Sequence, residues 1–329
     1  MQNIIFGITL SALLALCSLW LASLFPALVL SPLIIGVLLG LVVGNIFGKS
    51  LHMHTHQGLS ICTKHILRLG VVLYGFRITV DGLFAIGYLG LGLSLFVTLS
   101  TLFLGCYLGK KLFKLDQQTS FLTAIGAAIC GAAAVLAAET TSRAKPQQAA
   151  IAVATVVLFG TLAMLLYPLL YHAGLLLLSP WQYGFFTGGS IHEVAQVLAA
   201  GEAAGSASAE IAVIVKMTRV LLLAPILILA GIYFNRISTE STRLPIYIPW
   251  FVIGFIFCIG INSLKMVSPE NTALIQSFDL FLLTTAMCAL GLNTQFKALA
   301  SLGLKPFYLG AVLWLWLMLS TFTVVVLFV

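Results

Sequence analysis

The chain has 329 residues, of which 61% are hydrophobic and 8% charged, with a formal net charge of +7. An ordinary soluble domain carries about 25% charged residues, so composition excludes a water-soluble globular fold, and the long apolar runs exclude the short alternating segments of a β-barrel. No polar domain carries a basic stripe, so nucleic acid is not an expected partner and the positive charge belongs to membrane loops.

A spanning helix needs about 20 apolar residues, and about eleven runs come near that length. They cover residues 4–24, 29–47, 59–80, 83–108, 120–139, 148–172, 181–201, 211–234, 245–264, 272–292 and 307–329. The first run has no Lys or Arg before it and no small-residue cleavage site after it, so it reads as a retained span rather than a signal peptide. The loops are short, and no linker suggests a soluble domain. The expected fold class is an all-α polytopic membrane protein embedded in the lipid bilayer as one integral domain.

Loop charge predicts orientation. One side collects Lys49, Lys110, Lys111, Lys114, Arg236, Arg243, Lys297 and Lys305, and the other Arg77, Arg143, Lys145 and Lys265. The richer side should be cytoplasmic, with the N-terminus inside and the C-terminus outside. Cys17, Cys62, Cys106, Cys130, Cys258 and Cys288 lie in or beside apolar runs without CxxC spacing, which predicts buried free thiols.

The second half echoes the first. The third span contains Lys64 and Arg68, and the eighth contains Lys216 and Arg219. The fifth has the small-residue stretch Gly126-Ala127-Ala128-Ile129-Cys130-Gly131, and the tenth Ala286-Met287-Cys288-Ala289-Leu290-Gly291. With residues 1–27 set aside as an extra helix, residues 28–172 and 181–329 form two five-span units. Five is odd, so the second unit enters from the opposite side, as in the inverted repeats of secondary transporters.

Cations inside a span are costly, roughly 2.5–3.5 kcal/mol each near the bilayer centre, and are retained beside something negative. Lys216 and Arg219 are three apart and Lys64 and Arg68 four apart, so each pair shares a helix face. The bland reading is snorkelling to headgroups. Acids are few: Glu193 and Asp279 within spans and Glu139 at the end of one. That excess of cations favours an anion at the centre.

The densest polar cluster is Gly188-Gly189-Ser190-Ile191-His192-Glu193-Val194-Ala195-Gln196. Its glycines can unwind the helix and turn the positive end of the following half-helix toward an anionic ligand. On a continuous helix His192 and Gln196 would share a face, and Glu193 would reach a cation of the eighth span. His192 is the group best able to exchange a proton near neutral pH. The cluster resembles a zincin motif, but Gln196 stands where the second ligand His is required, so no metal is expected. The 126–131 stretch lacks the Lys and Ser/Thr of a phosphate loop and reads either as a break lining a cavity or as small-residue packing. Gly36, Gly40 and Gly44 form a packing stripe, and Asn45 at its end either lines the cavity or caps the helix. His52, His54 and His56 alternate in an expected loop, where solvation is favoured over metal.

Several stretches together carry a family resemblance. They are Leu67-Arg68-Leu69-Gly70 with Gly75-Phe76-Arg77, Ile129-Cys130-Gly131-Ala132, Leu158-Phe159-Gly160-Thr161-Leu162-Ala163-Met164 with Tyr167-Pro168, Ile191-His192-Glu193-Val194-Ala195-Gln196-Val197, Val215-Lys216-Met217-Thr218-Arg219-Val220, Ala289-Leu290-Gly291-Leu292 and Gly303-Leu304-Lys305-Pro306. From about Ser31 onward the chain resembles the YeiH-like family of bacterial inner-membrane proteins, described as candidate sulfate exporters. The resemblance implies an inner-membrane location and a sulfur oxyanion, sulfate or sulfite, as cargo. The layout is also similar to that of bile-acid/sodium symporters and cation/proton antiporters, which implies crossed, broken helices at Cys130-Gly131 and at residues 288–291.

The expected function is secondary transport of a small inorganic or organic anion by alternating access at mid-membrane. Arg68, Cys130, Gly131, His192, Glu193, Gln196, Lys216 and Arg219 are the expected binding residues, with Lys64, Asn45, Asp279 and Cys288 secondary. His192 and Glu193 would couple movement to a proton or set the charge of the site. A second reading is a sodium- or proton-coupled carrier with Glu193 and Asp279 on the cation, and a third a membrane sensor or scaffold. No nucleophile–base set is complete, so an enzyme is not expected. No cofactor is expected, and a homodimer is a candidate assembly.

Overall fold

A computed structural model of the chain describes residues 2–24, 31–237, 250–294 and 304–329, and every regular element among them is helical. Arg243 and Lys297, two of the cations that orient the chain, lie outside the described residues, as does Gly303.

The first helix, α1 (Gln2–Leu24), is apolar along its length. The second, α2 (Pro32–Ile61), starts at Ser31, whose hydroxyl accepts from the Ile34 N–H, with Pro at the first helical position where a missing N–H costs nothing. It bends at Gly48, which takes φ 51°. A π turn (Cys62–Ile66), α3 (Leu67–Tyr74), a 3-10 turn (Gly75–Arg77) and α4 (Val80–Ala85) follow. Next come α5 (Gly87–Lys111) and α6 (Gln117–Ala128), where Asp116 caps the Thr119 N–H at 2.8 Å. The chain continues through α7 (Ala132–Ser142), α8 (Pro146–His172), α9 (Pro180–Ser190), α10 (Val194–Gly201), α11 (Ser206–Leu221) and α12 (Leu223–Ile237). It ends with α13 (Trp250–Ser263), α14 (Pro269–Asn293) and α15 (Leu304–Phe328).

Among the described residues, 7 helical stretches are long and apolar enough to cross a membrane, with further short apolar helices. Two of the expected spans are each split by a three-residue interruption: α6 from α7, and α9 from α10. The first interruption falls at Ile129–Gly131, where a break is one of the two readings of the small-residue stretch. The second falls at Ile191–Glu193, not in the tenth span, because α14 runs unbroken from Pro269 to Asn293. His54 and His56 lie on α2 and not in a loop.

The chain divides into two compact units, Met1–Ala85 with Phe251–Ser301 and Ile86–Trp250 with Leu302–Val329. In the first, α2 packs on α1 and α14. The small residues expected to break the tenth span serve this contact. A Cβ on Gly44 would lie 2.6 Å from the Leu292 oxygen, and one on Gly291 would lie 2.9 Å from the Gly40 Cα. The Gly36/Gly40/Gly44 stripe and Gly291 thus bring two backbones together as small residues do in membrane helix pairs. Gly40→Val should force α2 from α14, since a Cβ there meets the Cys288 carbonyl and sits 2.9 Å from the Leu292 N. The expected cost is about 3 kcal/mol, read as a lower thermal midpoint of the purified protein. Gly92→Ala on α5, where nothing lies within 4 Å, should leave that midpoint unchanged.

In the second unit, α5 packs on α6, α11 on α9, and α15 on α5 and α9. This unit buries the polar centre.

Candidate functional site

Both interrupted spans place helix ends inside the second unit, where a helix end cannot turn to water for its unpaired groups. Each interruption leaves a C-terminal end with open carbonyls and partial negative charge, and an N-terminal end with open N–H groups and partial positive charge. The sequence supplies a partner for each.

Arg219 serves the C-terminal ends. It lies on α11 with no exposed surface. Its Nε donates to Ala128 O at 3.0 Å, and its Nη2 donates to Ala127 O at 3.0 Å and again to Ala128 O. Its Nη1 donates to Gly189 O at 2.7 Å, Gly188 O at 3.3 Å and Ile191 O at 3.5 Å. Ala127 and Ala128 close α6, and Gly188, Gly189 and Ile191 close α9. The five N–H donors of one planar fork are therefore spread over the ends of two half-helices. Lys216, one turn earlier and equally buried, donates to Ile191 O at 2.7 Å. The negative partner that the two cations require is the pair of helix ends rather than a side-chain acid.

The glycines before the second break allow this approach. Gly188 and Gly189 stay in the last turn of α9 instead of unwinding it. A Cβ on Gly188 would stand 2.9 Å from Val215 Cβ, so the glycine keeps α9 close enough to α11 for the guanidinium to reach the carbonyls.

Glu193 serves an N-terminal end. Its Oε1 accepts from the Ala132 N–H, the first of α7, at 3.2 Å. Its own backbone begins α10, where its side chain makes no cap bond. One residue thus links the starts of the two second half-helices. Gly131 makes room for it, with φ 65° and ψ −131°, and a Cβ there would lie 2.5 Å from Glu193 Cγ. The expected pairing of Glu193 with an α11 cation gives way to this amide contact. His192 lies in the extended break, so the face it was expected to share with Gln196 does not form. Its Nδ1 has no hydrogen-bond partner although the residue is buried. Gln196 donates from Nε2 to Thr161 at 3.2 Å, and its Oε1 is also unpartnered. Cys130 is buried in the first interruption.

Charge balance is instructive. Each helix end carries roughly half an elementary charge. Arg219 cancels about one negative unit from two C-terminal ends, and an ionised Glu193 offsets the positive end of α7. Any charge on Lys216 adds to the positive side.

The other expected residues belong to the first unit and form no comparable cluster. Lys64 is exposed on the π turn, and Arg68 is half-buried with its guanidinium 5.8 Å from the Phe251 ring centre. This pair therefore does not reproduce the burial of Lys216 and Arg219. Asp279 is fully buried and paired with Arg77 Nε at 3.3 Å, while Arg77 Nη2 donates to Gln276 O at 2.8 Å. Asn45 is exposed and donates to Leu41 O of its own helix at 2.9 Å and to Thr294 O, at the end of α14, at 3.0 Å. Cys288 is buried at the α2–α14 contact, 3.8 Å from Ser18 Oγ.

Sequence reasoning missed a polar stripe on α5. Ser94, Thr98 and Thr101 are all buried, and Thr98 donates to Ala128 O at 3.3 Å, the same carbonyl that Arg219 holds. Their spacing of four and three was legible as one face of an otherwise apolar helix. The Arg77–Asp279 pair was missed because Arg77 reads as a loop residue.

Two interrupted helices whose C-terminal ends are held by buried cations, in an apolar chain that is helical among the described residues, define a polytopic membrane protein with a buried polar centre. The chain belongs to the UPF0324 membrane-protein family. The family profile described as "Conserved hypothetical protein 698" matches residues 6–310. A UPF0324 membrane protein of Bordetella bronchiseptica is 42% identical over 301 residues, covering 90% of this chain and 93% of the relative. One from Bacteroides thetaiotaomicron is 41% identical over 300 residues, covering 90% and 89%. The UPF0324 inner membrane protein YeiH of Salmonella typhimurium is 39% identical over 325 residues, covering 97% and 93%.

Proposed function

We propose that this protein is a secondary transporter of a small anion, with sulfate or sulfite as the leading cargo, working by alternating access in a bacterial inner membrane. One observation carries the reading: the start of α7 is held by the buried carboxylate of Glu193, the residue whose backbone opens α10, in the same interruption as the unpartnered His192 Nδ1. Helix starts facing a shared interior point are the means by which discontinuous helices hold anionic groups. Interrupted backbone at membrane depth is tolerated where it is buried in protein or lines a cavity.

In this reading Lys216 and Arg219 act through the helix ends they neutralise, and the anion meets main-chain N–H groups beside Glu193, His192 and Gln196. Loop charge supports a cytoplasmic N-terminus. The cation-carrier reading is weakened because Asp279, one of its two carboxylates, is already paired with Arg77.

The test is flux from liposomes reconstituted with the purified full chain and loaded with radiolabelled sulfate or sulfite. Saturable efflux above that of protein-free vesicles, competed by unlabelled anion, is the expected result. Efflux no faster than from protein-free vesicles, for sulfate, sulfite, nitrate and formate alike and with folded protein, would remove the anion reading.

A further inference from the structure

Glu193 is an unusual residue to find at an anion site, because its own carboxylate already sits on the amide an anion would use. It is 8% exposed, and its Oε1 accepts from the Ala132 N–H at 3.2 Å. The backbone is shaped around it: Gly131 takes a left-handed φ of 65°, and its missing Cβ leaves the space that Glu193 Cγ and Oε1 fill. A carboxylate held there occupies the place of a bound anion.

Taking the anion-transport reading as given, the geometry points to Glu193 as a tethered occupant of the site, a carboxylate that must leave the α7 start, taking up a proton, before the transported anion can bind there. The balance of groups supports the proton. Arg219, the one cation in the cluster that is always charged, has its donors spread over five carbonyls, and Lys216 is held by Ile191 O. A carboxylate that left the amide while still ionised would give up its Ala132 N–H donor in a buried centre, and a buried charge that loses a partner is neutralised instead. The other groups acting on its charge are Lys216 of α11 and Cys130 in the first interruption; Arg219 lies one turn after Lys216 on α11, and His192 is the neighbour of Glu193 in the chain. The exchange balances without a further reactant. One anion replaces one carboxylate at the amide, and one proton from the adjacent aqueous phase stays on the carboxyl until the anion departs. Each anion then crosses with one proton.

The experiment measures thermal stabilisation of the purified full chain by sodium sulfate, which stays fully ionised between about pH 5.5 and about pH 8, across that range. A ligand that binds the folded state raises the apparent midpoint by mass action. The wild type should be stabilised more strongly as pH falls, with the apparent affinity for sulfate rising about tenfold per pH unit in the range where Glu193 is ionised without ligand. Glu193→Gln keeps an oxygen able to accept from Ala132 but no charge, and Glu193→Ala empties the position. Both should bind sulfate with little pH dependence, and a proton gradient should no longer drive their sulfate flux. A folded Glu193→Gln or Glu193→Ala protein that keeps the wild-type pH dependence, or loses sulfate binding, overturns the role of Glu193 while leaving the transport reading intact. If sulfate, sulfite, nitrate and formate all fail to stabilise the wild type at every pH, the anion reading itself fails and this inference with it.

Discussion

Arg219→Leu should unfold the second unit rather than merely slow transport. The substitution removes every donor that reaches Ala127, Ala128, Gly188 and Gly189 from α11 and leaves the closing carbonyls of α6 and α9 facing one another in the interior. A buried polar group left without a partner costs about 1–3 kcal/mol, so four such carbonyls approach the whole stability of an ordinary folded domain, about 5–15 kcal/mol. Ala128 O retains Thr98 at 3.3 Å, which softens but does not remove the loss. Like partial charges at the two helix ends add repulsion that the guanidinium now screens.

Lys216→Met should be much milder, about 2 kcal/mol, because it strips one donor from Ile191 O. Arg219→Lys should fall between, since an ammonium keeps the charge but lacks the planar fork that spans both helix ends. Size-exclusion profiles and thermal midpoints in detergent rank the three. A well-folded Arg219→Leu protein with a wild-type midpoint and no anion flux would instead make Arg219 a direct ligand of the cargo.

The buried cations show what the sequence could convey. A charge deep in an apolar run announces a negative partner, and Lys216 and Arg219 are buried with one. The partner's nature was not legible, because carbonyls at a helix end leave no mark in residue identity and become a site only when two interruptions meet. The break at Gly131 falls in a run of small residues that reads equally as a break or as close packing. The same signal failed at 286–291, since small residues serve close packing as readily as unwinding, and there Gly291 meets Gly40 across an unbroken α14. Lys64 and Arg68 look like the counterparts of Lys216 and Arg219 by spacing alone. Spacing does not say which face a helix turns inward, and the π turn at Cys62–Ile66 shifts the face between them.

Gly131→Ala should be the most damaging single-methyl change in the polar centre. With φ 65° and ψ −131°, the position lies in a region that L-residues enter only under strain of about 1–3 kcal/mol. The added Cβ would also stand 2.5 Å from Glu193 Cγ and 2.8 Å from its Oε1, so the carboxylate must leave the Ala132 amide or the backbone must shift. Strain and lost contact together predict about 3 kcal/mol of destabilisation. The two contributions can be separated by a double-mutant cycle with Glu193→Ala, which removes the obstructing side chain but not the strain. The double variant should be less destabilised than the sum of the singles by about 1–2 kcal/mol, because the carboxylate–amide contact is lost only once. Strict additivity of the two losses would mean that Glu193 and Gly131 do not share this contact, and the α7 start would then have to be held by another group.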